Sequence, residues 1–100
     1  MQYLYHATPF ENLNSILSYG LTLGKDDYVY LCENPRDSCK FLVVKGIRHI
    51  LTVRVKIPKR LESTIEETFD HSIGFFKCRA FASKIPITTD RIDDYREWCL

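Results

Sequence analysis

The sequence lacks two features that would point to particular partners. Its 14 lysines and arginines nearly balance 13 aspartates and glutamates, and the resulting net charge of +1 argues against bulk nucleic acid as a partner, while leaving room for a local basic patch. The sequence also contains no apolar run long enough to cross a bilayer, and its N-terminus has no signal-peptide pattern. We therefore expect a cytoplasmic protein without a membrane partner.

The four cysteines do not form a recognisable framework. They lie at positions 32, 39, 78 and 99, with no Cys-x-x-Cys pair and no histidine at a matching spacing for zinc. We therefore expect free thiols in a reducing compartment, rather than disulfides, and no metal site.

Length and composition indicate a single domain over residues 1–100. A chain of 100 residues can form one hydrophobic core and has little room for a second. Its hydrophobic fraction of 45% and charged fraction of 27% are ordinary for a globular protein. The sequence contains neither internal repeats nor a low-complexity linker.

The first twenty-one residues predict a strand that turns directly into a helix. The aromatic and apolar residues 3–5 suit a strand. A capping box at Thr8 and Glu11 then predicts the start of a helix that ends at Gly20. Its expected apolar face consists of Leu13, Ile16 and Leu17. His6 is thus expected at a strand end, beside a helix N-terminus that favours polar or anionic ligands.

The rest of the chain predicts further strands and one more helix. The predicted strands are 28–31, 49–57, 75–82 and an edge strand at 85–87, and the predicted helix begins at Asn34-Pro35 and ends at Gly46. Residues 59–70 fit either a helical turn or a loop. In residues 90–100, the spacing of Ile92, Tyr95 and Trp98 favours a helix over a strand. These elements predict a small α+β fold.

Several of these motifs, in this order, resemble the ADP-ribosyltransferase superfamily. They are His6-Ala7-Thr8, Asn12-Leu13 with Ile16-Leu17 and Gly20-Leu21, Tyr28-Val29-Tyr30-Leu31, and Ser38-Cys39-Lys40-Phe41. The resemblance is closest to the His-Tyr-Glu branch, which includes poly(ADP-ribose) polymerase catalytic domains, tRNA 2′-phosphotransferases and DarT-type toxins. It implies a split β-sheet core flanked by short helices. It also implies transfer of ADP-ribose from NAD to a protein or nucleic-acid acceptor.

The resemblance assigns roles to individual residues. His6 would hydrogen-bond the ribose hydroxyls of NAD. The backbone of Ala7, where the family usually has glycine, would hold the nicotinamide carboxamide, and Ser38 would add a hydroxyl to the same amide. The rings of Tyr30 and Phe41 would stack on the nicotinamide. The NAD-binding residues that the resemblance implies are His6, Ala7, Thr8, Tyr30, Ser38 and Phe41.

The third motif of the family, a glutamate on a later strand, has no counterpart on the predicted strand at 75–82. The tRNA 2′-phosphotransferases also lack it and use basic groups to hold a phosphate, a role open to Arg79 and Lys77. Just upstream, Asp70 beside His71 would make an acid–base pair. The predicted catalytic residues are His6, Tyr30, His71 and Arg79.

These residues also have structural interpretations. His6 fits a partly buried histidine bonded to the backbone, and Tyr30 and Phe41 fit core aromatics. His71 fits a turn, and Arg79 fits an exposed strand position. Two alternatives for the whole protein follow: a module that binds NAD or an ADP-ribose-containing nucleotide without transfer, and an interaction scaffold on the same fold with an empty pocket.

Overall fold

The computed structural model describes residues 2–68 and 79–100, and this part of the chain forms one antiparallel sheet with short helices. Its strands are β1 (Gln2–Pro9), β2 (Val29–Cys32), β3 (His49–Ile57), β4 (Ile65–Thr68), β5 (Ala80–Ser83) and β6 (Ile92–Cys99), and its α-helices are α1 (Leu13–Tyr19) and α2 (Pro35–Val43). The predicted α+β class, a small single domain with a sheet flanked by short helices, is confirmed.

The sheet has the strand order β4-β5-β2-β1-β3-β6 and narrows at its middle. β1 pairs with β3 over eight residue pairs, from Gln2 to Pro9. Between β1 and β2, in contrast, the described residues make one pair, Tyr5 opposite Cys32. The sheet therefore consists of two three-stranded halves joined over a short distance.

The main hydrophobic core lies on the sheet face that carries Leu4, Val53 and Val55, with Ile16 of α1 packed against it. The predicted strand at 49–57 is confirmed at both ends. The other face of this strand is less exposed to solvent than the alternation predicts, because Thr52 is buried there. Helix α2 packs on this side against β1 and β3, and the indole Nε1 of Trp98 donates to Thr52 Oγ1 at 2.8 Å.

The predicted capping box at Thr8 is wrong. Strand β1 continues through Pro9 because its pairing with β3 extends that far, and a 3-10 turn at Phe10–Asn12 precedes α1. Thr8 Oγ1 instead accepts a hydrogen bond from Asn12 Nδ2 at 2.8 Å. Of the expected apolar face, Ile16 is buried, whereas Leu17 is about half exposed.

The predicted end of α1 at Gly20 is confirmed. Gly20 has a φ of +77°, which L-residues with a Cβ rarely adopt. A Cβ at this position would lie 2.1 Å from the carbonyl oxygen of Ile87. Glycine is thus required both by the backbone conformation and by the close approach of the segment around Ile87, which pairs with Leu21.

Helix α2 begins where the sequence predicts. Asn34 precedes it, and its Oδ1 accepts hydrogen bonds from the backbone N–H groups of Arg36 and Asp37 at 2.9 and 3.2 Å. Pro35 is the first helical residue, where its missing N–H has no cost. The α-helix itself ends at Val43, and a turn then leads to Gly46, whose φ is +86°.

The second half of the chain departs further from prediction. Residues 59–64 form a 3-10 segment, and β4 follows it, a strand that the sequence pattern did not predict. Of the predicted strand at 75–82, residues 80–82 lie in β5, whereas 75–78 lie outside the described residues. The predicted edge strand at 85–87 is reduced to a single bridge between Leu21 and Ile87.

The C-terminal segment forms a strand, and the preference for a helix there is wrong. β6 makes seven residue pairs with β3, from His49 opposite Cys99 to Val55 opposite Ile92. Without β6, the most buried strand of the sheet would expose an unpaired edge, so tertiary pairing outweighs the weak helical spacing. Within residues 2–68 and 79–100, none of the helices has the length and apolarity that crossing a bilayer would require.

Candidate functional site

A pocket of about 250 Å³ opens where β1, β2 and α2 meet, beside the narrow junction of the sheet. β1 and β2 contribute one wall, and the side chains of α2 contribute the other. Five of the six residues predicted to bind NAD line this pocket: His6, Ala7, Tyr30, Ser38 and Phe41. Residues up to 35 positions apart in the sequence are therefore brought into one cavity, as the resemblance implies.

The imidazole of His6 is fixed by the backbone of β2. Its Nδ1 lies 2.7 Å from the carbonyl oxygen of Tyr30. Because a carbonyl oxygen only accepts, Nδ1 carries the proton, and Nε2 of the neutral ring is a hydrogen-bond acceptor. Burial lowers the pKa of His6, and the bond to Tyr30 opposes this with a smaller effect. His6 is therefore neutral at pH 7, with an acceptor nitrogen for a ligand hydroxyl.

Two of the three aromatic residues that line the pocket, Tyr30 and Phe41, lie in different settings. Tyr30 is 48% exposed, and its hydroxyl donates to the carboxylate of Asp26, which holds the ring in place. Phe41 is half-buried and packs against Cys32 and Ala80. Tyr30 is thus not a core residue, whereas Phe41 combines core packing with a face on the cavity.

Ser38 and Ala7 lie on opposite walls. Ser38 is buried in the first turn of α2, and its hydroxyl donates to the carbonyl oxygen of Pro35 at 2.6 Å. Its proton is therefore engaged within the helix, while its oxygen can still accept from a ligand N–H. Ala7 lies on β1 beyond Tyr5, where the described strands β1 and β2 have separated. Ala7 is among the residues that line the cavity, and the predicted contact of its backbone with the carboxamide stays a prediction.

The remaining predicted residues lie elsewhere. Thr8 does not line the pocket, since it is buried and bonded to Asn12. Arg79 makes a two-pronged ion pair with Glu67 of β4, with both N–O distances at 3.0 Å, and it lowers the pKa of Glu67. Arg79 is not in the pocket lining, although its neighbour Ala80 is. His71 lies outside the described residues, so its predicted catalytic role stays a prediction.

Sequence reasoning missed Lys45, whose side chain lines the pocket beside Leu42. Part of a signal was present, because Ser38 and Leu42 at i and i+4 share one helical face, and Lys45 lies in the turn directly after the helix. Lys45 gives the pocket a positive charge suited to a phosphate. Among the described residues that line the pocket, none carries a carboxylate.

Comparisons with known proteins give a fold but no family. No family model and no curated protein matches the sequence. Among solved structures, protein CC0527 from Caulobacter crescentus is similar, with a TM-score of 0.65 and 9% identity over 96% of this chain and 85% of that chain. At this identity the likeness concerns the fold alone.

Proposed function

We propose that this protein is an NAD-dependent ADP-ribosyltransferase-like protein that holds the nicotinamide–ribose end of NAD in the pocket between β1, β2 and α2. The observation that carries this proposal is the convergence of His6, Ala7, Tyr30, Ser38 and Phe41 on one cavity. The narrow β1–β2 junction also fits the split sheet that the resemblance implies. The acceptor would be a protein or a nucleic acid.

Residues from both walls of the pocket would contact the ligand. His6 Nε2 would accept a hydrogen bond from a ribose hydroxyl, and Ser38 Oγ would accept one from the carboxamide N–H. Tyr30 and Phe41 would border the flat faces of the nicotinamide ring. The volume of about 250 Å³ is below the usual range for drug-sized ligands, so the pocket suits the nicotinamide and its ribose, with the diphosphate extending towards Lys45.

The reaction that this arrangement would support is cleavage of the N-glycosidic bond. Nicotinamide would leave with the bonding electron pair, and an oxocarbenium-like ribose would then be attacked by a nucleophilic oxygen or nitrogen of the acceptor, which loses its proton. Because the described lining has no carboxylate, catalysis would depend mainly on the orientation that His6 and Tyr30 impose on the ribose and the ring. Roles of Arg79 and His71 at the phosphate or acceptor remain part of this proposal.

The same absence of a carboxylate favours a second candidate, a module that binds NAD or an ADP-ribose-containing nucleotide without transferring it. Such a module needs the cavity and the His6 acceptor but no group that stabilises a developing positive charge. Nicotinamide release separates the two candidates, because only the transferase produces it.

The first experiment is a thermal-shift titration with NAD, ADP-ribose and nicotinamide. NAD at hundredfold saturation should raise the melting temperature by roughly ten degrees or more for a domain of this size. His6→Asn should remove the shift, because asparagine can still donate to the Tyr30 carbonyl but lacks the Nε2 acceptor. Tyr30→Ala should weaken binding, whereas the control Tyr95→Ala, at a similarly exposed tyrosine outside the pocket, should not.

A second experiment measures nicotinamide release from labelled NAD in the presence of protein and nucleic-acid acceptors. Release by the wild type that His6→Asn abolishes supports transfer. Saturable binding without release supports the binding module. If none of the three ligands changes the melting temperature of the wild type, the pocket does not bind NAD and the scaffold interpretation replaces both.

A further inference from the structure

Three side chains that are remote from the pocket form a cluster of potential metal ligands on β3 and β6. They are His49, Glu97 and Cys99, and an imidazole nitrogen, a carboxylate oxygen and the sulfur all lie within 4.8 Å of one another. None of them lines the pocket. Nitrogen, oxygen and sulfur ligands in one cluster are the donor set that zinc accepts.

The strand register explains why these residues meet. His49 lies directly opposite Cys99, and Glu97 precedes Cys99 by two residues, so all three side chains project from the same face of the sheet. The pairing continues past the cluster, since the backbone N–H of Leu100 donates to the carbonyl of Arg48 at 2.9 Å. The backbone that carries the cluster is therefore held on both sides of Cys99.

The His49 ring is already oriented towards the carboxylate. It stacks on Phe10, with ring centroids 4.4 Å apart and an angle of 19° between the planes. Its Nε2 lies 2.5 Å from Glu97 Oε2. A metal ion between these two groups would bond the nitrogen and the oxygen at about 2.0–2.2 Å and the sulfur at about 2.3 Å. His49 and Glu97 are 55% and 50% exposed, so their side chains can rotate to reach these distances.

We propose that His49, Glu97 and Cys99 bind one Zn²⁺ ion, with water in the fourth position. The thiolate and the imidazole favour zinc over magnesium and calcium, which prefer oxygen ligands. The ion would join the end of β6 to the start of β3. Metal binding would thus stabilise the edge of the sheet that lies away from the pocket.

The test uses the full chain without a polyhistidine tag, reduced and freed of metal. Competition between the protein and a chromophoric zinc chelator gives stoichiometry and affinity, and we expect one Zn²⁺ per chain. Cobalt in place of zinc should give the near-ultraviolet charge-transfer absorption of a thiolate–Co²⁺ bond. Cys99→Ser should abolish this absorption and, like His49→Ala, weaken zinc binding at least tenfold.

Matched controls separate this site from other carboxylates and thiols. Glu66→Gln, at an exposed glutamate that pairs with Lys84, and Cys32→Ser, at a buried thiol of β2, should both bind zinc like the wild type. Glu97→Gln is the second ligand variant if Cys99→Ser fails to fold, which circular dichroism reports. No saturable binding, a Cys99→Ser affinity within twofold of the wild type, or a Co²⁺ complex without the thiolate absorption would each overturn the proposal.

Discussion

The protonation of His6 depends on two effects of opposite direction. Burial disfavours the imidazolium and lowers the pKa of His6, and the hydrogen bond to the Tyr30 carbonyl only partly compensates. The same bond fixes the tautomer, so one contact determines both the orientation of the ring and the nitrogen that it presents to a ligand. The proposed NAD site therefore depends on a neutral His6.

This environment predicts a pH dependence of stability. In the unfolded chain the pKa of His6 is about 6.5, whereas the folded value is lower, so between the two values the unfolded state binds more protons. The contribution of neutral His6 is complete above pH 6.5 and is lost as the pH falls below it. Urea denaturation at pH 7.5 and at lower pH should show a larger loss for the wild type than for His6→Asn. Equal losses in both proteins would contradict the assignment.

Helix α2 supplies one wall of the pocket, and its position depends on its N-terminus. Asn34 Oδ1 accepts two backbone hydrogen bonds there, and Pro35 sets the first helical φ. Ser38, Phe41 and Lys45 all follow this start. The cap is thus the local feature that positions half of the proposed site.

Removing the cap should destabilise the protein. Asn34→Ala leaves the N–H groups of Arg36 and Asp37 without their side-chain acceptor, at a cost of about 1 kcal/mol, or roughly 4–8 °C in melting temperature. Asn34→Asp is the control, because its carboxylate keeps the acceptor and suits the helix N-terminus. Differential scanning calorimetry measures both variants. An equal loss in the two would mean that the amide group, and not capping, stabilises α2.

At the scale of the whole molecule, the strands of the sheet differ in how extensively they are paired and buried. β3 is paired along its length with β1 on one side and β6 on the other, and Val53 and Val55 at its centre are fully buried. β4 is a four-residue edge strand that pairs only with β5 among the described strands. The proposed NAD pocket lies at the junction of the halves, while the proposed zinc cluster lies on β3 and β6.

Rates of amide hydrogen exchange should reflect the difference in pairing between β3 and β4. We expect the β3 amides that donate within the ladder to exchange most slowly, at rates approaching those of global unfolding, whereas β4 amides should exchange through local opening. Exchange followed by NMR gives the rate at each residue. The β1 amides paired with β3 are an internal control and should be nearly as protected as β3. Equal protection of β4 and β3 would indicate that the sheet unfolds as one cooperative unit.

Where interactions between neighbouring residues decide the structure, the sequence was sufficient to predict it. Asn34 and Pro35 start α2, and Gly20 ends α1, because caps and positive-φ positions involve only a few neighbouring residues. The alternation over 49–57 predicts β3 at its full length. Five of the residues that the motifs predicted to form a site also line one pocket, although what the pocket binds stays a proposal.

Only the tertiary structure decided the features that depend on pairing between distant segments. β3 extends β1 past Thr8 and so removes the predicted capping box, and it also draws residues 92–99 into a strand despite their helical spacing. The same pairing places His49 beside Cys99, although fifty positions separate them in the sequence. A local pattern does not contain these outcomes, because the free energy of strand pairing comes from a partner that the chain supplies from elsewhere.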